Sequence, residues 1–278
     1  MQNCCETYTL NLKEIAPFIK WYFFFHAWKL TGDYTGIEQL CDCESCCVQW
    51  LSKFSLAKRA KAEEALKLMR DAKELMRRLA TENAIQIKAT LALSDAKSTG
   101  NSIEIDHFGK KIILPTLRQQ IPSRDGYCLS LSDFISPKHD QIGLFAISVR
   151  SSLTFPNDLY MQMLQQTLCD RIVEASSEYM HQVKMGGVGI RPAVGYPCLP
   201  DQSLIFELAK MLPLHEVGIQ LTENGAMTPH SSVCGMYITH PEARYFVVGK
   251  ISEEQLAKYA QMRGKSPEEI RKFLINCV

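Results

Sequence analysis

The sequence predicts an α+β fold in which antiparallel strands are joined by turns and flanked by helices. Three observations predict it. Two long stretches, Leu56 to Leu79 and Leu159 to Val183, repeat apolar residues at helical spacing. Between them the period switches to strand-like runs broken by glycine and polar turns. The last third alternates short strands, turns and capped helices without repeating a strand–helix unit. The chain has 278 residues, 46% of them hydrophobic, enough to bury a sizeable core. A single domain is expected, with a helical part over about 8–84 and an α+β core over about 85–278.

Charge and composition exclude several classes of function. Thirty-one basic and thirty acidic residues leave a formal charge of +1, so no polyanionic partner is implied and nucleic acid is disfavoured. The most apolar early run, Phe18 to Trp28, is interrupted by Lys20 and His26. It is too short to span a bilayer and follows a polar start without a signal-peptide pattern. No membrane is expected, and the localisation expected is cytoplasmic. The eleven cysteines are scattered apart from one knot, and a chain of this length does not need staples, so reduced thiols are the expectation.

From the N-terminus, residues 8–35 carry an aromatic cluster that includes Trp21, Phe23, Phe24, Phe25 and Trp28, a large-area anchor for the N-terminal segment. Four thiols then fall within Cys41-Asp42-Cys43-Glu44-Ser45-Cys46-Cys47. Metal binding normally draws on two separated cysteine pairs, and only one knot is present, so an inert or redox-sensitive loop is expected and no metal site is assigned. From Leu56 to Leu79, Leu68, Ala72, Leu75, Met76 and Leu79 form the buried stripe of an amphipathic helix.

Ile103, Ile105 and residues 111–114 read as strands around turns at Gly100-Asn101 and Gly109. Tyr127 to Ile135 and Ile142 to Val149 read as two more, the second apolar enough to lie centrally. Leu159 to Val183 returns to helix, with Leu164, Leu168, Ile172, Ala175, Tyr179 and Val183 as its stripe. Asp170 and Glu174, four apart, share one face beside it.

Met185-Gly186-Gly187-Val188-Gly189 has the glycine content of a nucleotide-binding loop but the wrong context, since it follows a helix and runs into Arg191-Pro192. Prolines at 192, 197 and 200 stiffen the backbone around Arg191, which suits a fixed guanidinium holding a small anionic group. A stiff surface loop is the other reading. Asp201 caps a helix through Leu204, Leu208, Met211 and Leu212. Ile219 to Leu221 and Ser232 to Thr239 read as strands, and Tyr245 to Ile251 is expected to pair with the latter. Ser252 to Gln255 and Ser266 to Glu269 are capping boxes opening two final helices.

No Ser-His-Asp motif, Walker loop or two-pair cysteine zinc motif is present. No histidine, aspartate or glutamate stands four residues after any of the seven histidines. No catalytic nucleophile is assigned, and the residues point to a binding site.

In order and over almost the whole chain, these segments resemble the S-adenosylmethionine-binding activation domain of cobalamin-dependent methionine synthase. The resemblance rests on Arg191-Pro192-Ala193-x-Gly195-Tyr196-Pro197-x-x-Pro200-Asp201, on Thr222-Glu223-Asn224-Gly225-Ala226-Met227, on Ser232-Val233-x-Gly235 and on His240-Pro241-x-x-x-Tyr245-Phe246. Ile19-x-Trp21, Leu117-Arg118-Gln119-Gln120, Asp133-Phe134-Ile135 and Asp170-Arg171 to Glu178-Tyr179 with His181 follow the same order.

It implies a single C-shaped α+β domain that binds S-adenosylmethionine in a shallow groove and docks over the vitamin B12 cofactor, cobalamin, of a partner module. There, an electron from a flavodoxin-like donor and a methyl group from S-adenosylmethionine restore methylcobalamin from inactive cob(II)alamin. On this resemblance Arg191 forks to the ligand carboxylate, a bidentate contact that lysine cannot copy. Ala193 and Gly195 admit the adenosyl moiety, Tyr196 faces the cobalamin side, and Glu174 offers a carboxylate to the cationic end. Tyr245 and Phe246 line the site, and Asp170 is a partner-docking residue.

Three departures stand against that pattern. A ligand-contacting aspartate of the family is Lys20 here, a reversed charge beside a sulfonium ligand. The acidic loop that follows His181 in the family is shortened to residues 182–190. The knot at 41–47 lies outside the pattern. No cobalamin, folate or homocysteine motif is present either, so the expected role is a free-standing activation subunit of a split methionine synthase, its cobalamin module on a separate chain. The alternative is a docking module for a corrinoid protein that has kept the fold with weak or no S-adenosylmethionine binding.

Overall fold

The computed structural model describes residues 4–41, 43–123, 125–274 and 277. In chain order the strands are β1 (Cys4–Leu10), β2 (Ile85–Thr99), β3 (Ser102–His107), β4 (Lys110–Pro115), β5 (Asp140–Ser151), β6 (Gln220–Leu221), β7 (Met227–Thr228) and β8 (Ser232–Tyr237). The helices are α1 (Leu12–Ile15), α2 (Trp21–Ala27), α3 (Glu44–Leu51), α4 (Leu56–Thr81), α5 (Leu159–Lys184), α6 (Ile205–Leu208), α7 (Glu253–Arg263) and α8 (Pro267–Arg271). Two compact units result. The first comprises Met1–Thr9, Lys88–Ser148 and Ser177–Val278, and the second Leu10–Ile87 and Val149–Ser176.

The first unit is built on a six-stranded sheet of order β4-β3-β2-β5-β8, with β1 paired to β2. The β2–β3, β3–β4 and β5–β8 ladders are antiparallel, the last matching Phe145 to Gly235 and Ile147 to Val233. β5 is buried without interruption from Ile142 to Val149, as its unbroken apolar run requires. Its core gathers Ile103, Ile105, Leu144, Met236 and Ile238 with Leu204, Leu208, Leu256 and Tyr259. The second unit is organised on α4, which buries Ala65, Leu68, Met69, Ala72, Leu75 and Leu79 along one face. In the aromatic segment Phe24 and Phe25 are buried, while Tyr22 and Phe23 on the same helix are exposed.

Several expectations from local sequence are corrected. Residues 127–135 form no strand. Leu131–Phe134 is a 3-10 turn that Ser130 and Asp133 cap reciprocally, and Arg118 holds Asp133 through Nη1 to Oδ2 at 2.6 Å. Side-chain bonds to the local backbone outcompete a ladder there. Tyr245 to Ile251 does not pair with β8 either. The free side of β8 is taken by residues 190–193, through bridges Ile190↔Ile238 and Ala193↔Gly235, while Val248 donates to the Pro197 carbonyl.

The Asp201-capped element is a 3-10 turn, Gln202–Leu204, followed by the four-residue α6, rather than one helix to Leu212. On α5 the buried stripe continues through Ser177, Met180 and His181 instead of Val183, which is exposed. Ser252 caps α7, but the Gln255 side chain bonds both backbone groups of Arg118, so that capping box is only half made. The box at Ser266 and Glu269 is complete. The cysteine knot is not simply a loop, because α3 begins at Glu44.

Candidate functional site

The end of α5 places Ser177, Glu178 and His181 in the first unit, and the chain then turns sharply before Arg191. The Gly187 N–H donates to the His181 carbonyl at 3.0 Å, and His181 Nε2 donates to the Val188 carbonyl at 3.0 Å. Burial pulls the His181 pKa below the usual imidazole value, which favours the neutral ring. That ring stacks on Tyr237 at 5.3 Å between centroids, and Tyr237 stacks in turn on Phe145 at 4.4 Å. The Tyr237 hydroxyl donates to the Ser177 carbonyl at 3.1 Å. A rigid aromatic column thus fixes the helix end from which the next segment departs.

Two glycines let that segment lie against β8. Gly189 has φ +87°, and a Cβ there would stand 1.9 Å from the Ile238 carbonyl oxygen. A Cβ on Gly235 would stand 2.3 Å from the Pro192 oxygen. Without side chains at these points, the Ile190 N–H reaches the Ile238 carbonyl at 3.0 Å and the Met236 N–H reaches that of Pro192 at 2.9 Å. Arg191 is therefore carried on a pinned, strand-like run.

The Arg191 guanidinium is oriented from the helix end. Nε donates to Glu178 Oε2 at 2.9 Å and Nη1 to Ser177 Oγ at 2.7 Å. The two charged side chains are 16% and 23% exposed, dry enough to be held firmly and open enough to meet a ligand. The Arg191 backbone N–H donates to the Tyr245 hydroxyl at 3.0 Å.

Beyond it the chain closes a tight turn, with Tyr196 N–H on the Ala193 carbonyl and Gly195 N–H on that of Leu199. Ala193, Cys198 and Leu199 are buried, Gly195 is exposed, and half-buried Tyr196 lies 6.4 Å from the Tyr245 ring. Behind the turn, Asp201 accepts from the Ser203 N–H at 2.8 Å and from the Tyr259 hydroxyl at 2.7 Å, with Arg263 Nε 3.4 Å away. This buried polar knot ties the segment to α7.

The first unit thus brings together Arg191, Ala193, Gly195, Tyr196 and Tyr245. Phe246 belongs to its core, 6.5 Å from the Phe134 ring. Glu174 and Asp170 stand on the part of α5 that belongs to the second unit, where Gln166 donates to Asp170 at 2.9 Å. Lys20 also lies there, exposed at the N-cap of α2. It lines a cavity of about 690 Å³ with Trp21, Phe25, Asp33, Tyr34 and Glu38.

Sequence reasoning named Glu178 only within a motif and missed its pairing with Arg191. The available signal was the three glycines at 186, 187 and 189 between helix and arginine, which let the chain double back on the helix end. Among the described residues, no helix is long and apolar enough to cross a membrane.

The chain matches the family model described as the vitamin B12 dependent methionine synthase activation domain over residues 11–187 and 183–264. It also resembles the crystal structure of the MetH reactivation domain bound to AdoHcy, with a TM-score of 0.81 and 26% sequence identity, covering 100% of this chain and 91% of that one. This α+β chain, with its pinned Arg191 segment, belongs to the family of vitamin B12-dependent methionine synthase activation domains.

Proposed function

We propose that the chain binds S-adenosylmethionine along residues 189–196 and serves the reductive remethylation of a cobalamin carried by a partner module of methionine synthase. The observation that carries this reading is the Arg191 guanidinium, preset by Glu178 and Ser177 on a segment that two bridges hold against β8. The donor set fits the ligand. A planar cation suits its carboxylate, and the small Ala193 and exposed Gly195 leave backbone within reach of an adenosyl group. Tyr196 and Tyr245 offer ring surface. The likeness to a reactivation domain bound to AdoHcy, which shares every part of S-adenosylmethionine except the transferred methyl, supports it further. When bound, S-adenosylmethionine supplies that methyl group, and a flavodoxin-like donor supplies the electron. Phe246 acts from below by anchoring the segment that carries Tyr245. Glu174 serves the ligand's cationic end, and Asp170 serves docking of the partner.

Calorimetric titration of S-adenosylmethionine decides the matter, with Arg191→Ala as control. Loss of a charge-assisted contact of about 1.5–3 kcal/mol weakens binding roughly ten- to a hundredfold. If the wild-type chain binds no ligand even beside a cobalamin-carrying module, the reading fails. One observation favours a docking role without the ligand, namely the Lys20 ammonium exposed at the start of α2. That role predicts a complex with the corrinoid protein whose stability does not respond to S-adenosylmethionine.

A further inference from the structure

The cysteine knot of the second unit takes no part in the function proposed above, yet it is spatially organised. The Sγ atoms of Cys41, Cys43 and Cys46 all lie within 4.8 Å of one another. Those of Cys41 and Cys43 are 3.0 Å apart, and the Ser45 hydroxyl is 3.4 Å from Cys43. Cys43 is the N-cap of α3 and Cys46 lies in its first turn, so the start of the helix turns both thiols toward the Cys41 side. The knot is also braced from behind. Lys73 Nζ on α4 donates to the Leu40 carbonyl at 2.7 Å, just before the first cysteine. Arg70 Nη2, one turn away, donates to the sulfur of buried Cys47 at 3.0 Å, and Cys47 in turn reaches the Cys41 carbonyl at 3.9 Å. Both ends of the turn are thus fastened to the longest helix of the unit, while Cys41 and Cys43 are exposed and Cys46 is half-exposed.

We propose that Cys41, Cys43 and Cys46 form a binding site for one soft, thiophilic d10 cation such as Zn²⁺, with a fourth coordination position open to solvent or to a small exogenous ligand. Three thiolates around zinc at about 2.3 Å stand roughly 3.8 Å from one another, close to the present separations of this trio, whose Sγ atoms all lie within 4.8 Å. Soft sulfur ligands select this class of metal over magnesium or calcium. Cys47 is excluded as the fourth ligand because its sulfur is buried and engaged by Arg70. That guanidinium, with Lys73, offsets the net negative charge of a divalent ion bearing three thiolates. Each thiol that ligates gives up its proton to solvent, so uptake of the metal is accompanied by proton release.

The test uses the full chain, reduced and purified anaerobically, with Zn²⁺ as the probe against a chromophoric chelator. One equivalent is expected to be held by the wild type, with affinity lowered at least tenfold in Cys43→Ser and lost in Cys41→Ser/Cys43→Ser/Cys46→Ser. Cys47→Ser is expected to keep the equivalent. Cd²⁺ substitution reads the number of ligands directly through thiolate charge-transfer absorption, whose intensity should correspond to three. Failure of the wild type to retain stoichiometric Zn²⁺ overturns the proposal, as does full retention by the triple variant. Loss in Cys47→Ser equal to that in Cys43→Ser, with thermal unfolding unchanged, overturns the assignment of ligands.

Discussion

Arg191 and Glu178 are thirteen residues apart in sequence and meet through a 2.9 Å hydrogen bond from Nε to Oε2. The pair closes the doubled-back path from the end of α5 to β8. It gives the arginine one orientation before any ligand arrives, which lowers the conformational entropy lost on binding.

Breaking this pair from the acidic side is expected to destabilise the chain and loosen the guanidinium. For a pair this dry, Glu178→Ala costs about 1–3 kcal/mol in urea unfolding, less than for a fully buried pair because part of the charge stays solvated. A double-mutant cycle with Arg191→Ala should return a coupling well above that of an exposed pair. Strict additivity of the two substitutions would show that the contact has no energetic role.

Gly189→Ala tests the close approach to β8. Its Cβ would overlap the Ile238 carbonyl at a positive φ, whereas Gly126, also at positive φ, has open space around the same position. Gly126→Ala is expected to cost about 1–2 kcal/mol from backbone strain alone. Gly189→Ala should cost about 3 kcal/mol or more, or prevent folding. Equal midpoints in chemical denaturation would rule out the steric account.

His181 imposes a direction on the pH response. Because burial lowers its folded-state pKa, the neutral ring contributes stability that is complete above the ordinary imidazole value of about 6.5 and is lost as pH falls from there through the folded-state value. Stability is therefore expected to rise with pH across that window. His181→Phe, which keeps an aromatic ring against Tyr237, should flatten the slope between about pH 5 and 7. An unchanged slope would assign the effect to other groups.

Arg263 and Asp201 form the most buried ion pair among those described, with side chains 3% and 1% exposed. Arg263→Met leaves the Asp201 carboxylate with only the Tyr259 and Ser203 donors and is expected to cost about 3–5 kcal/mol, read as a fall in melting temperature. Lys258→Ala, at an exposed pair on the same helix, is expected to leave the melting temperature unchanged. Similar losses at both sites would mean that burial does not set the value of these pairs.

The elements legible in the sequence were those whose burial is one-sided and local. The period of Leu68, Ala72, Leu75 and Leu79 placed α4, the longer apolar stretch placed α5, and the unbroken run from Ile142 to Val149 placed the central strand. Ser266 with Glu269 placed the last helix, because both halves of a capping box lie within four residues. The motif around Arg191 marked a candidate anion-holding segment, because proline and glycine carry their backbone restrictions with them.

Only the tertiary structure decided which segments pair. Tyr245 to Ile251 has the composition of a strand, yet the edge of β8 it was expected to occupy is taken by residues 190–193, and composition records propensity rather than competition for a ladder. Glu178 was one carboxylate among several on α5 until the turn at Gly189 brought Arg191 back to it. The four cysteines read as a knot without ligand geometry until the start of α3 turned three of them together and left Cys47 against Arg70. In each case the deciding term is a contact between residues far apart in sequence. Local periodicity encodes which side of an element is buried, and long-range packing selects its neighbours.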